Sequence, residues 1–445
     1  MQNSQTPVVW YTQQFAELEQ QLNGESKSAV HALRRRALDH FVEKGFPTTR
    51  DEEWRFTNVA PLSRLACVLP DPATRVTARE IVPYLLHGAT HRLVFVNGRW
   101  SESLSSVGSL PAGVRVESLA GALHRDEGEV LETLGSIAPV QDHPFTALQT
   151  AFLSDGAYVV IPDETDLPVP VELLFVVTPG QDPIAVHARN LIRVGNHSRL
   201  SVVETYAGLG SSTYFTNMVT EIFVGQGAVL EHDKLQVENV HAFHIGSAYL
   251  RQEGESVVTS NSIALGGGLV RNAVTTTFTA PHAECTLNGL SLATGTQHID
   301  NHTTIDHAQP HCASHEVYKA IHDGRSRGVF NGKIFVRKDA QKTDARQTNK
   351  TLLLSDDASM DTKPQLEIFA DDVKCTHGAT IGQLDEDQVF YLRTRGIGEE
   401  AARDILTFAF AVDVVERVHV ETLRLRLEDL LRTRLQQGRI RTVES

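Results

Sequence analysis

A cysteine and a histidine lie two residues apart in residues 371–380, a segment that predicts a β-strand. Because side chains alternate between the faces of a strand, Cys375 and His377 are expected to project from one face, and Asp371 shares their parity as a third candidate. Thiolate and imidazole groups suit iron, zinc and iron–sulfur clusters. Two such ligands leave a four-ligand site incomplete, so the others must come from elsewhere in the fold or from a second chain.

The same pair permits two other interpretations. A nearby imidazole can lower the pKa of a thiol, which would make Cys375 a nucleophile. The neighbouring sequence identifies neither an oxyanion donor nor a third residue to orient the histidine. A purely structural role is the remaining interpretation, and residue chemistry alone leaves all three open. Gly378 and Gly382 predict a turn directly after the histidine.

Five histidines within 18 residues form a second candidate site: His298, His302, His307, His311 and His315. Spacings of four and five residues would place several of them on one helix face as metal ligands. However, the segment alternates as a strand does, and its Thr-Thr-Ile run at 303–305 disfavours a helix. We therefore expect ordinary structural roles, with the imidazoles bonded to loop carbonyls.

The other cysteines, Cys67, Cys285 and Cys312, are scattered without a CxxC pair and are expected in the core. This usage favours a reducing cytoplasm over a disulfide-bonded secreted protein. Residues 1–23 lack the apolar region of a signal peptide, and the apolar stretch 405–412 is too short to cross a bilayer. The chain is therefore expected in the cytoplasm, without a membrane.

Composition excludes further classes. The chain has 445 residues, of which 41% are hydrophobic and 22% charged, and a net charge of -14, which argues against a nucleic-acid-binding face. Residues 328–334 resemble a phosphate-binding loop, but one residue is missing between the glycines and Ile334 replaces the required Ser or Thr. The glycines at 266–268 predict a turn. No ATPase site is expected in this chain.

The periodicity of apolar residues changes twice along the chain, from helical to strand-like and back to helical. We predict an N-terminal helical and mixed domain at 1–150, with helices over 12–45 and a hairpin turn at Asn97-Gly98. Residues 151–385 predict a parallel β-helix, because strand-like runs continue without helices and residues 192–200 are echoed at 222–230. A β-sandwich is the competing fold. Residues 386–445 predict a C-terminal helical domain in which Gly398 caps a helix.

The chain resembles the SufB/SufD family of iron–sulfur cluster assembly proteins over nearly its whole length. The segments that carry the resemblance are Pro47 with Glu53-Trp54, and residues 330–334, 340–345, 352–355, 363–368, 371–378 and 390–397. The Lys-Cys-Thr-His-Gly run at 374–378 is similar to the SufD branch. The Glu–His–Glu pattern and the N-terminal cysteine motif of the SufB branch are absent from this sequence.

The resemblance implies a mainly β fold, a right-handed parallel β-helix flanked by N- and C-terminal α-helical domains. It implies a SufB-like partner at the β-helix and a SufC-like ABC ATPase at the C-terminal helices. A nascent iron–sulfur cluster would form at the interface with SufB, and His377 matches the family's histidine ligand, with Cys375 beside it as auxiliary ligand or sulfur acceptor. Some family complexes are associated with reduced flavin, for which this sequence has no motif. A homodimer without the partner is also open.

The sequence thus predicts a non-catalytic scaffold subunit of an assembly complex. One alternative is a β-helix hydrolase or metal-dependent lyase that uses the five histidines and is active as a single chain. The other is a clamp that holds SufB and SufC together without contributing ligands, for which Cys375 and His377 would be dispensable.

Overall fold

The computed structural model describes residues 7–22, 28–141 and 143–442. The chain begins with two helices, α1 (Pro7–Gln21) and α2 (Ala29–Lys44). The Ser28 hydroxyl accepts a hydrogen bond from the His31 N–H and so caps α2, while the Gly45 N–H bonds to the Phe41 carbonyl at its end. The helices predicted over 12–45 are confirmed, except at residues 23–27, which lie outside the described residues.

Short elements connect these helices to the main body. A 3₁₀ turn at Glu52–Trp54 is followed by α3 (Ala60–Ser63), α4 (Ala78–Ile81), β1 (His91–Val96), β2 (Arg99–Trp100), β3 (Ser106–Val107), β4 (Arg115–Ser118), α5 (Leu119–Arg125), α6 (Glu127–Leu131) and α7 (Pro144–Ala151). Asn97 and Gly98 both have positive φ, at 50° and 78°, and join β1 to β2 as an antiparallel hairpin. The predicted hairpin is confirmed.

The main body consists of long strands rich in β-branched residues. They are β5 (Ala157–Ile161), β6 (Val171–Val177), β7 (Ala185–Val194), β8 (Arg199–Gly208), β9 (Phe215–Val224), β10 (Val229–Gln236), β11 (Phe243–Gln252), β12 (Val257–Ala264), β13 (Leu269–Phe278), β14 (Glu284–Ala293), β15 (His298–His307), β16 (Ala313–His322), β17 (Arg327–Val336), β18 (Asp344–Leu353), β19 (Ser359–Ile368) and β20 (Lys374–Gly382).

Successive strands alternate between two sheets, which makes the main body a parallel β-helix. One sheet has the order β2-β1-β6-β8-β10-β12-β14-β16-β18-β20, with β3 also paired to β1, and the other has the order β4-β5-β7-β9-β11-β13-β15-β17-β19. The sequence echo is one rung of this helix, because Ile192 pairs in register with Ile222, and Leu200 with Leu230. The predicted β-helix is confirmed.

Like side chains stack on like along the interior of the β-helix. Phe95, Phe175 and Tyr206 occupy consecutive rungs, with ring centroids 4.7 and 5.1 Å apart and nearly parallel planes. Such offset aromatic stacks add to the free energy gained from burying apolar surface. Each rung is therefore held by the backbone ladder and by side-chain contact with the rung before it.

The two ends of the β-helix differ. At the N-terminal end, β2 and β3 pair antiparallel with β1, and β4 pairs antiparallel with β5, so further strands cover both edges. At the other end β19 and β20 are the last strands of their sheets, and no further strand of the described chain pairs with them. The last rung therefore presents unpaired backbone groups at two open edges.

Three helices follow the β-helix in the described chain: α8 (Glu386–Thr394), α9 (Glu399–Val415) and α10 (Glu421–Thr442). Gly398 is the N-cap of α9, as predicted. The helix dipole stabilises the two glutamates of the first turn, Glu399 and Glu400. The apolar face of α9, with Ala411 and Val414, packs with Leu290 and Ile321 of the sheet. Lys319 fixes this contact by donating to the Phe410 carbonyl at 2.9 Å.

Candidate functional site

Cys375 and His377 lie on β20, the open edge strand of one sheet. Cys375 pairs in register with Ala345 of β18, and His377 pairs with Gln347. Ala345 and Gln347 are buried inside the β-helix, and paired residues of parallel strands point to the same face. The two candidate ligands therefore share the inward face of the last rung, where Cys375 is half-buried and His377 is exposed.

A column of polar side chains lies directly behind His377. Gln347 pairs in register with Glu316 of β16, so the three side chains occupy successive rungs at one position. Gln347 Nε2 donates a hydrogen bond to Glu316 Oε2. Both residues are almost completely buried, at 2% and 1% exposure. The column leads from the interior of the β-helix to the open edge.

Burial sets the protonation of these groups. Burial raises the pKa of the Cys375 thiol, and the Ala345 backbone opposes this by a hydrogen bond. Loss of hydration likewise raises the pKa of the Glu316 carboxyl to about 7, because the hydrogen bonds from Gln347 and Thr303 compensate only in part. Cys375 thus lacks the lowered pKa that the nucleophile interpretation requires.

Two expectations about this segment were wrong. Asp371 and Asp372 are exposed and precede β20 at a corner of the β-helix, so Asp371 does not share the strand parity of the ligands. Asp372 instead pairs with Lys342 of the preceding corner. Gly378 and Gly382 lie within β20 and form no turn, because ladder pairing with β18 continues to Gly382.

The described residues contain no group of three or more His, Cys, Asp or Glu side chains arranged to hold a metal ion. Within the described part of the chain, Cys375 and His377 are therefore two candidate ligands on one edge. A cluster bound there would need further ligands from outside it.

The five histidines do not converge. His307 Nε2 is 2.9 Å from the Ser314 hydroxyl, and burial lowers its pKa to about 4, whereas His315 is exposed on β16. His311 stacks on His282 at a corner, with centroids 4.9 Å apart. His298, His302 and His307 bond to hydroxyl, carboxylate and guanidinium groups, whereas bonds to loop carbonyls were expected.

His298 and His302 belong to a buried network that anchors the Trp54 segment to β13 and β15. The Arg271 guanidinium lies over the Trp54 ring at 3.9 Å and binds Asp300 at 2.5 Å. The Thr57 hydroxyl donates to Asp300 and lies 2.9 Å from His298 Nε2. Burial alone would raise the pKa of Asp300, but His302 and Arg271 outweigh it and the pKa is lowered.

A cleft of about 520 Å³ opens beside this network, between the Trp54 segment, the start of α7 and the outer face of one sheet. Its cations are paired: Arg271 with Asp300, Arg337 with Asp306, and Lys333 with Glu367. Glu53 adds a further carboxylate to the lining. The charges thus favour neither an anion nor a cation.

Cys67, Cys285 and Cys312 are buried in the core, as predicted. Burial raises the pKa of Cys67 and Cys285 to about 12, which keeps both thiols protonated at neutral pH. Residues 328–334 lie within β17 and form no phosphate-binding loop. The glycines at 266–268 form the corner between β12 and β13, as predicted.

Gln347 and Glu316 were missed in the sequence because neither belongs to a recognisable motif. The signal that would have found them is register. Counting rungs back from His377 leads to Gln347, 30 residues earlier, and then to Glu316, a further 31 residues earlier, because the corners of the two rungs differ in length by one residue. A single glutamine in a strand does not indicate a functional site until the rung repeat shows which residue it pairs with.

The comparisons with known proteins agree with this architecture. Residues 175–410 match the family model "SUF system FeS cluster assembly, SufBD core domain", and residues 6–173 match the model "SufBD protein N-terminal region". The chain belongs to the SufBD family of iron–sulfur cluster assembly proteins. The family resemblance found in the sequence is thereby confirmed.

Similar proteins occur in bacteria and plants. An iron–sulfur cluster assembly SufBD family protein of Synechocystis is 33% identical over 93% of this chain and 93% of its own length. The iron–sulfur cluster assembly protein SufD of Escherichia coli is 29% identical over 90% of this chain and 92% of its own. Protein ABCI7, chloroplastic, of Arabidopsis thaliana is 29% identical over 91% and 86%.

No helix in the part of the chain that the structure describes is both long and apolar enough to cross a membrane.

The buried Glu316 makes stability depend on pH. A carboxyl whose pKa is raised in the folded state stabilises the fold while protonated, and this contribution is lost as the pH rises from 4.5 through about 7. The Glu316→Gln variant has no ionisable carboxyl at this position. We therefore expect its free energy of unfolding, relative to that of the wild type, to rise by about 3 kcal/mol between pH 4.5 and about pH 7. Denaturant unfolding of both proteins at these two pH values measures the change, and a difference in stability that does not vary with pH would contradict the raised pKa of Glu316.

Proposed function

We propose that this protein is a non-catalytic scaffold subunit that contributes His377, with Cys375 as auxiliary ligand, to a nascent iron–sulfur cluster at an interface with a SufB-like chain. The observation that carries the proposal is the position of both residues on the uncovered last rung of the β-helix. The cluster is the cargo of this site and needs ligands from two chains. Membership of an iron–sulfur assembly family supports this reading.

The open rung has the properties of a surface that a second chain covers. Apolar side chains are exposed around it: Ile368 at 38%, Phe369 at 59% and Ile381 at 43%. Equivalent inward positions one rung earlier are buried, such as Thr351, which pairs with Ile381. Unpaired strand edges and exposed apolar residues together favour strand-to-strand association. A SufB-like chain is the proposed occupant, and a second copy could use the same edge when that partner is missing.

Removal of the His377 imidazole tests the ligand assignment. In a complex purified anaerobically with the cognate SufB-like and SufC-like chains, we expect His377→Ala to assemble in wild-type yield but to lose most of its iron, sulfide and visible absorption. His315→Ala is the matched control, because His315 is also an exposed histidine of the same sheet. A His377→Ala complex with its cluster intact would favour the clamp hypothesis instead.

The C-terminal helices offer a separate surface for the ATPase. On α8, Phe390 is 65% exposed and Tyr391 57%, while Ile405 of α9 is 46% exposed. Tyr391, Leu392 and Leu406 line a shallow groove between the two helices. Exposed aromatic residues at a groove are the side chains that most often anchor a partner protein. We assign this groove to the SufC-like ATPase, which would hydrolyse the nucleotide for the complex.

Substitution of Tyr391 tests this second surface. Truncating an aromatic residue that anchors an interface costs about 2 kcal/mol or more, so we expect Tyr391→Ser to weaken ATPase binding about 30-fold. Isothermal titration with the purified ATPase measures the change. Leu425→Ser is the control, because Leu425 of α10 is comparably exposed, at 57%, outside the groove. Equal loss of binding in both variants would place the docking surface elsewhere.

The similar proteins leave the compartment open, since one of them is described as chloroplastic. The free cysteines of this chain support the cytoplasm as its proposed location. A reduced flavin is not part of the proposed site.

A further inference from the structure

We propose that Gln347 is a positioning residue for His377, and that its side-chain carbonyl accepts the N–H of the His377 ring when a second chain covers the last rung. This inference rests on the proposed role of His377 as a ligand. It adds that the orientation of the ligand is set inside this chain, by a neutral amide held in place from behind. The other ring nitrogen is then left free to bind iron.

The first support is register. Gln347 and His377 are direct partners on neighbouring parallel strands, β18 and β20. Such strands lie about 4.8 Å apart, so side chains at paired positions lie one above the other on the same face. Gln347 is thus the nearest inward-facing side chain behind the imidazole on this sheet.

The second support is the direction of the amide. Gln347 Nε2 donates to the Glu316 carboxylate one rung further inside, which fixes the amino end of the amide toward the interior. Gln347 Oε1 is buried and has no hydrogen-bond partner among the described residues. A buried acceptor without a donor costs free energy, and a donor that arrives on assembly would recover it.

The third support is the space reserved for this amide. Gly332 of β17 lies across the interior from Gln347, and a Cβ at that position would come within 2.2 Å of Gln347 Nε2 and 2.7 Å of its Cδ. Any other residue at 332 would displace the amide from the line between Glu316 and His377. The absence of a side chain at Gly332 therefore leaves the space that the Gln347 amide occupies.

The chemistry of metal-binding histidines explains why an acceptor is useful there. A ligating imidazole commonly donates its other N–H to an oxygen acceptor, which fixes the tautomer and the plane of the ring, and loss of that acceptor weakens metal binding about 10- to 100-fold. A glutamine supplies this acceptor without adding negative charge beside the site.

The test uses the complex assembled anaerobically with the SufB-like and SufC-like chains, and measures how fast a chelator removes iron from the bound cluster. Gln347→Met keeps the length of the side chain but removes the acceptor. Asn349→Met is the matched control, because Asn349 is a buried inward amide of the same strand that pairs with Ala379 and donates to the Tyr318 carbonyl.

We expect iron loss to be about 10-fold faster in Gln347→Met, or more, and unchanged in Asn349→Met, with similar melting temperatures for the two complexes. Equal rates in the two variants would overturn the inference. If Gln347→Met fails to assemble, Glu316→Met serves instead. It keeps the length of the side chain but removes the acceptor that fixes the direction of the Gln347 amide, so iron loss should again be faster, and a wild-type rate would overturn the inference.

His377→Ala, measured in parallel, separates this inference from the proposed function. A cluster retained in that variant contradicts the role of His377 itself. A cluster lost in His377→Ala but held at the wild-type rate in Gln347→Met contradicts only the positioning role.

Discussion

The structure depends on the in-register pairing of parallel strands, in which each rung completes its hydrogen bonds and its packing only through the next rung. A ladder of this kind has two ends, and each end leaves donors, acceptors and apolar side chains uncovered. In this chain β2, β3 and β4 cover the N-terminal end by antiparallel pairing. The C-terminal end ends at β19 and β20 without a comparable strand in the described chain. The unsatisfied end is the one that carries Cys375 and His377.

In the proposed function, this asymmetry links stability to function. Completion of the last rung by a second chain would make cluster binding conditional on assembly, because the described residues offer only two candidate ligands at this edge. The interior behind the rung contributes as well. Glu316 and Gln347 are polar side chains buried in the interior, and the hydrogen bond between them offsets part of the cost of burying them. Their register aligns this pair with His377, the proposed ligand.

The fold could be predicted from the strand-like periodicity of the sequence and from its internal repeat. A parallel β-helix repeats the same strand positions, as the in-register pair Ile192 and Ile222 shows. The sequence also singled out Cys375 and His377 as candidate ligands, since their chemistry is visible in their residue types. It misplaced Asp371, because strand propensity does not locate the corner that ends a strand. It missed Gln347, Glu316 and the Arg271–Trp54 contact, because these depend on which residues meet across rungs or across more than 200 residues of chain.

Amide hydrogen exchange along β20 tests most directly whether the last rung is completed by a partner chain. The isolated chain, held at a concentration where light scattering shows a monomer, is compared with the complex that contains the SufB-like subunit. Among residues 374–382, we expect the amides that are not hydrogen-bonded to β18 to exchange rapidly in the monomer and to become strongly protected in the complex, while the amides of β1 and β2 are unchanged. Equal exchange of β20 in both samples would contradict the proposal that a second chain covers this edge.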